Sequence, residues 1–356
     1  MRIALLAPIA EKVPPTTYGG TEAVVYILAE ELHKRGHDVT LFAAGDSEVS
    51  CKLEPIADKA IGSKMDESTR DALTLIAIAE AVGHIQRGNF DIVHNHTGAR
   101  ALLLKSLIPA PVVTTLHDPP NSHRERRIFK EFKMMPFISI SKAERRLAPL
   151  LRYSATIYHG IDTSTYNPSY KPGKYLAFLG RFSQVKGPKE AIQIAKATGL
   201  KLKMAGKVND FERDYFETEV EPHIDGKQIE FLGEVDHAGK EKLLRGAKAL
   251  LSPIHWEEPF GLVNIEAYAC GTPVVAMRRG ALPELVVQGV TGYTCRSTRE
   301  MISAVKRIDQ IDRVACRRHV ETRFSVERMI DAHERLYKRL TTPRFGRFSP
   351  RRLLRR

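Results

Sequence analysis

The sequence predicts an α/β protein made of two doubly wound, parallel-sheet domains. Three observations predict it. At 356 residues the chain is too long for one ordinary core and suits two domains of about 150–200 residues each. Apolar runs of strand length alternate with segments of helical periodicity over residues 1–150, and the same grammar restarts at 175. Between the halves, residues 163–173 are rich in Thr, Tyr, Pro and Lys and carry no periodicity, so they read as a linker and put the boundary near 160–173.

In the first half, the apolar runs 3–7, 39–43, 92–94, 112–116 and 137–140 read as strands of a sheet buried on both faces. Residues 22–35 place Val24, Val25, Leu28, Ala29 and Leu32 at helical spacing, and Gly36 stops that helix. Segments 71–87 and 141–150 repeat the design. In the second half, 175–179, 202–205, 229–232, 249–251 and 273–276 read as strands, and 188–197, 237–245 and 262–270 as helices. The last convincing helix is 325–340, and no solenoid repeat appears. The chain therefore divides into a domain over 1–162, a domain over 163–324, a helix over 325–341 and a basic, disordered tail over 342–356.

A hydrophobic content of 43% with 27% charged residues describes a soluble globular protein, and no apolar run approaches the ~20 residues that span a bilayer. The first eight residues are too short for a signal sequence and read as a buried strand, so the protein is expected in the cytoplasm. Cys51, Cys270, Cys295 and Cys316 stand far apart with no C-x-x-C pair, which fits buried thiols in a reducing compartment and argues against a zinc site. The net charge of +13 is uneven: six arginines crowd into 343–356, and removing them leaves +7. That tail is either a contact for an anionic membrane or polymer or a solubilising end. The segment 123–133 is also basic with interleaved apolar residues. Its expected arrangement is Phe129, Phe132 and Met135 or Pro136 inward with cations in water, the other reading being a dock on an anionic membrane.

The most informative stretch is Glu257-Glu258-Pro259-Phe260-Gly261-Leu262-Val263-Asn264-Ile265-Glu266. It reads as a loop carrying an acid, a Pro and a Gly, followed by a helix with a second acid in its second turn. A helix N-terminus offers unpaired N–H groups and a partial positive charge, so the turn at Gly261-Leu262-Val263 suits a phosphate. Carboxylates beside that phosphate make more sense as acceptors for sugar hydroxyls, which suggests a nucleotide-sugar site.

The pair Glu258 and Glu266, seven residues between them, followed by Ala267-x-x-Cys270-Gly271-Thr272-Pro273-Val274-Val275-Ala276, resembles the donor site of family 4 glycosyltransferases. These are retaining enzymes of the GT-B architecture, two Rossmann-like domains facing across a cleft. Further motifs fall in the family's order: Gly19-Gly20-Thr21-Glu22, Leu116-His117-Asp118, His159-Gly160-Ile161-Asp162, and Leu179-Gly180-Arg181 with Lys186-Gly187. The resemblance spans roughly residues 1–340. It implies a nucleotide-sugar held mainly by the second domain, an acceptor mainly by the first, and a final helix that returns to the first domain. By the same resemblance, His117, Arg181, Lys186 and Glu258 would be catalytic. Gly19, Gly20, Arg181, Lys186, Phe260, Gly261, Leu262 and Glu266 would bind the donor, with Glu266 on the ribose hydroxyls. Arg181 and Lys186 supply the charge that a departing diphosphate requires. Gln184 stands where an acid is more usual, and Ala281 in the loop 279–284 replaces a glycine, so contacts through that backbone are in question.

No G-x-G-x-x-G fingerprint, G-K-[ST] loop, H-E-x-x-H or D-x-D occurs in the sequence, so the expected chemistry needs no metal and no cofactor. His94 and His96 share a strand face but lack a third ligand and are not expected to bind metal. The predicted reaction moves a hexose from a nucleotide-sugar, UDP-glucose before GDP-mannose, to an acceptor that the sequence does not name. Nucleic acid is not an expected partner. The alternatives are a nucleotide-sugar epimerase of the same build and a non-catalytic protein that binds anionic polymer or lipid.

Overall fold

A computed structural model describes residues 1–342 apart from 17, 18, 63, 64 and 121, and the arginine-rich tail lies outside the described residues. The chain folds around two parallel sheets. The first comprises β1 (Arg2–Leu6), β2 (Asp38–Ala44), β3 (Lys52–Ala57), β4 (Ile92–Asn95), β5 (Val112–Leu116), β6 (Phe137–Ser139) and β7 (Tyr153–Thr156), in the order β3-β2-β1-β4-β5-β6-β7. The second comprises β8 (Tyr175–Leu179), β9 (Leu202–Ala205), β10 (Ile229–Phe231), β11 (Ala247–Ser252), β12 (Val274–Met277) and β13 (Gly292–Cys295), in the order β10-β9-β8-β11-β12-β13. The direction of strand order reverses between β1 and β4 and between β8 and β11. A doubly wound sheet binds ligands outside the carboxyl ends of its strands at those points.

The central strands carry the apolar runs that the sequence displays. Ile3, Leu5 and Leu6 are fully buried, as are Leu176, Ala177 and Leu250. Three strands escaped the sequence reading, β3, β7 and β13, and each is a sheet edge. Edge strands need bury only one side and tolerate proline, so Lys-Leu-Glu-Pro-Ile-Ala in β3 and Tyr-Ser-Ala-Thr in β7 lack the continuous apolar signal of their neighbours.

The helix Gly20–Lys34 buries Val24, Val25, Leu28 and Leu32 against β1 and β2, each such side chain contributing about 1.5–3 kcal/mol. The helix Val326–Thr341 starts at Ser325, whose hydroxyl accepts from the Arg328 N–H. It lays Val326, Met329, Ile330, Leu336 and Tyr337 into the core of the first sheet. Arg35 pairs with Asp331 at 2.6 Å and His37 with Glu334 at 2.8 Å, tying the same helix to the surface around β2. The chain thus crosses between the sheets twice, and the crossings touch: the Ile161 N–H donates to Phe324 O at 3.0 Å. Gly160 is obligatory there, because a Cβ would sit 2.3 Å from Ser325 O.

Residues 163–173 are not a loose linker. Tyr166 is buried in the second core, and Arg317 donates to the carbonyls of Thr163, Tyr166 and Ala269 at 2.9, 2.9 and 2.6 Å. A single inward ring, on a backbone held by a distant arginine, leaves no periodicity to read. The segment 123–133 forms the helix His123–Glu131, with Phe129 buried, Phe132 and Met135 packed beside it, and Arg126, Arg127 and Lys130 exposed. All four cysteines are free and buried.

Candidate active site

The helix Leu262–Ala269 begins at the carboxyl end of β11, and Gly261 is its N-cap with φ 89°. That left-handed conformation favours glycine. A Cβ at 261 would also meet Asn264 Nδ2 at 2.6 Å. Asn264 is fully buried, accepts from Ser252 Oγ at 2.7 Å and donates to Gly261 O at 2.9 Å, so β11 itself fixes the turn. The first N–H groups of this helix have no acceptor within it and point outward from its end.

Glu258 precedes the turn and is pinned from behind. The Ala281 N–H donates to Glu258 O at 2.8 Å, and Gly280 packs so closely that a Cβ would lie 2.2 Å from that oxygen. Ala281 at a position where glycine is usual therefore still lends its backbone to the site. The Glu258 carboxylate accepts from Lys186 Nζ at 2.6 Å and from Trp256 Nε1 at 3.0 Å, while the ammonium stands 4.7 Å from the indole centroid. Lys186 is presented by a single turn, Gln184–Lys186, that ends at Gly187 (φ 74°) against Pro253. Arg181 follows β8 and lies 3.9 Å from Glu212, and its Nε is buried with no hydrogen-bond partner among the described residues. Arg181, Lys186, Glu258, Phe260, Gly261 and Leu262 thus gather at the switch point of the second sheet.

Glu266 faces elsewhere. It accepts from Tyr166 Oη at 3.1 Å and from Lys240, making a polar corner one turn further along the helix. The opposite wall carries Gly19, Gly20 and His117. A Cβ on Gly20 would come within 3.5 Å of Leu262 Cδ1, so two helix N-termini from the two domains meet there. Just behind, Glu22 is buried, and burial, with Glu11 and Asp118 adding, raises its carboxyl to about 7 despite a backbone hydrogen bond. Burial likewise raises Asp118, with Glu258 adding and Lys186 and Arg181 opposing, which places the two walls within electrostatic reach of each other.

A row of aromatic nitrogen rings runs through the first domain into the cleft. His94 contacts Tyr337 Oη at 2.6 Å and Thr115 Oγ1 at 2.7 Å. His96 Nδ1 lies 2.9 Å from His117 Nε2, His117 stacks on His159 at 5.4 Å, and His159 meets the edge of Phe260 at 5.0 Å. Burial, helped by the charge of His333, lowers His117 to about 3, so it stands as a neutral hydrogen-bonding ring at physiological pH. Among the described residues, no group of three or more His, Cys, Asp or Glu is placed to hold a metal ion.

Several members of the site carried no sequence signal of their own. Trp256 and Tyr166 are single residues brought in by loops, Lys240 comes from the helix His237–Gly246, and Asn264 and Ser252 sit in positions that read as core. His96 was visible as half of a histidine pair, and the structure joins it to His117 across neighbouring strands.

Residues 164–313 match the family model described as "Glycosyl transferases group 1", and residues 18–165 match "Glycosyltransferase Family 4". The chain belongs to glycosyltransferase family 4. It is a transferase with the GT-B fold, as the two facing parallel sheets already indicate. Among its relatives, a glycogen synthase of Mycobacterium tuberculosis is 26% identical over 86% of each chain. A phosphatidyl-myo-inositol mannosyltransferase of Mycobacterium leprae is 27% identical over 82% of this chain and 83% of the relative. The solved structure of HepE from Anabaena in complex with UDP-glucose superimposes with a TM-score of 0.72 at 19% identity, covering 96% of this chain and 99% of that one. No helix among the described residues is long and apolar enough to cross a membrane.

Proposed function

We propose that this glycosyltransferase moves a hexose, with retention of configuration and without a metal, from a nucleotide-sugar to an acceptor hydroxyl, and that its donor is UDP-glucose. The observation that carries the reading is the convergence of Lys186, the unpaired Arg181 Nε and the N-terminus of the helix Leu262–Ala269 at one strand end. Together they form a receptor for a diphosphate, whose negative charge grows as the glycosidic bond breaks. Among the described residues, Lys186 pairs with one carboxylate, Glu258, so on donor binding it would turn to phosphate and free Glu258 to accept from sugar hydroxyls. Glu266, already set by Tyr166 and Lys240, keeps acceptor capacity for ribose hydroxyls. His117, neutral, would orient the sugar.

In the step itself the bond from the anomeric carbon to the phosphate oxygen breaks. A bond to the acceptor oxygen forms on the same face, and the acceptor proton passes to the leaving phosphate. The two cations provide what a divalent ion would otherwise supply. GDP-mannose is the second choice, the Mycobacterium leprae relative being named a mannosyltransferase.

The test is thermal unfolding with UDP, GDP and ADP, each in excess chelator. A ligand at about 100 times its dissociation constant stabilises by roughly 2.7 kcal/mol. A shift with UDP alone supports the reading, and a shift with GDP alone moves the donor to GDP-mannose. A shift that needs added divalent ion, or turnover in Lys186→Ala within threefold of the parent, would sink it. The anomeric configuration of the product, read by NMR, decides retention.

A further inference from the structure

We propose that Trp256 is a positioning residue, whose indole N–H keeps the Glu258 carboxylate on aim while Lys186 leaves that carboxylate for the donor diphosphate. The inference rests on the glycosyl-transfer reading above and adds a member to its donor side.

The chain leaves β11 at Ser252 and runs past the turn that presents Lys186. The His255 N–H donates to Val185 O at 2.8 Å, and a Cβ on Gly187 would sit 2.1 Å from Pro253 O. Backbone contacts thus lace the two loops together, so Lys186 and Trp256 are carried on one body. A tight turn follows, closed by the Glu258 N–H donating to Trp256 O at 3.1 Å. Trp256 is partly buried and packs on the core of the second domain. Packing alone would leave its N–H free to face solvent. Instead Nε1 donates to Glu258 Oε2 at 3.0 Å, and Lys186 Nζ donates to the same oxygen at 2.6 Å. The ammonium also stands 4.7 Å from the centroid of the ring. An indole has a positive edge and a negative face, so its edge suits the carboxylate and its face the ammonium.

One side chain therefore touches both members of the ion pair, and it alone stays with Glu258 when the pair parts. Ala281 and Gly280 pin the Glu258 backbone, so side-chain torsions are the freedom that remains to the carboxylate. Held by Lys186 only, it would swing loose as the ammonium turned to phosphate. Held also by Nε1, it keeps a donor on Oε2 throughout. Oε1, which has no donor among the described residues, then stays directed at a sugar hydroxyl. Phenylalanine at 256 would supply the same face to Lys186 and no N–H, which separates the two contacts.

The experiment measures, by isothermal calorimetry, the dissociation constants of UDP and UDP-glucose, and of GDP and GDP-mannose, for the parent, Trp256→Phe, Glu258→Ala and the double variant. For whichever pair the parent binds, Trp256→Phe is expected to hold the nucleoside diphosphate within about threefold of the parent. It should weaken the nucleotide-sugar about tenfold or more, the loss expected for one hydrogen bond to a charged group. The double variant should match Glu258→Ala within about threefold, because removing the acid removes what the indole positions. A merely structural tryptophan would cost the same factor in both backgrounds. Trp256 is the single tryptophan of the chain, so the parent's own fluorescence decides the question if Trp256→Phe fails to fold. Saturation with the nucleoside diphosphate should change the emission as Lys186 leaves the ring face. Unchanged emission, a nucleotide-sugar bound by Trp256→Phe as tightly as by the parent, or equal losses in the two backgrounds would overturn the proposal and leave the donor reading standing. No binding of either pair by the parent would overturn both.

Discussion

Replacing Glu22 by glutamine is expected to stabilise the protein, and to do so only above acid pH. The side chain is 6% exposed behind the Gly19-Gly20 turn, and burial raises its carboxyl to about 7. In the unfolded chain a glutamate titrates near 4.3–4.5. The folded value lies above the unfolded one, so the native state holds its proton longer. Stability is therefore lost as pH rises from about 4.5 to about 7, and stays lost above that. The difference of about 2.5 units corresponds to about 3 kcal/mol. Glutamine keeps the shape and cannot ionise, so the variant should gain nothing below pH 4.5 and about 3 kcal/mol at pH 8. Urea unfolding followed by far-UV circular dichroism at pH 4.5, 6 and 8, at fixed ionic strength, measures the difference directly, because every other titrating group cancels between the two proteins. A gain that is the same at all three pH values, or no gain at pH 8, refutes the reasoning.

His333 lies at the far end of the histidine row, and burial lowers it to about 4. Its folded value is below the unfolded one, so its contribution is complete above about pH 6.5 and lost as pH falls; His333→Phe should recover about 2 kcal/mol at pH 5 relative to its effect at pH 7, by the same urea titration. Gly261→Ala places a Cβ against Asn264 at a positive φ, and is expected to cost about 1–3 kcal/mol while cutting turnover more than a hundredfold, because the phosphate turn must move. Glu284 accepts from the N–H groups of Lys142 and Ala143 and from Tyr158 Oη at 2.9, 2.6 and 2.7 Å, joining the two domains. Glu284→Ala should weaken closure by about 3 kcal/mol, seen as a larger radius of gyration in solution scattering with UDP bound; an unchanged radius would count against the contact.

The sequence displayed the sheet centres and hid three of the four sheet edges. Runs such as 3–7 and 249–251 must be apolar on both faces, and that requirement writes itself into composition. The edge strands β3 and β7 are only partly buried and leave a weaker mark, while β13, though buried, is four residues long and opens on a glycine. For the site, the legible part was the part fixed by backbone: Gly261, Gly187 and the helix start at Leu262 have left-handed or close-packed geometry that few residues satisfy. Partners that arrive from elsewhere in the chain were not legible. Tyr166 stands 100 residues before Glu266 and meets it through a segment with no pattern at all. Trp256 reaches Glu258 only because the intervening turn folds back. Local spacing records which backbone is unusual, and it does not record which side chains that backbone will bring together.

The two crossings between the domains give the cleft its mechanics. Residues near Gly160 and Ser325 run in contact, joined by a backbone hydrogen bond and by the absence of any side chain at 160. A single tether would let one half tumble freely about a point. Two tethers clasped together behave as a door's paired pins, permitting swing about one line while resisting twist. Any swing about that line would return Lys186 and Arg181 to the same position opposite His117, so alignment of the groups proposed to act would be inherited from the hinge and need not be found anew at every encounter.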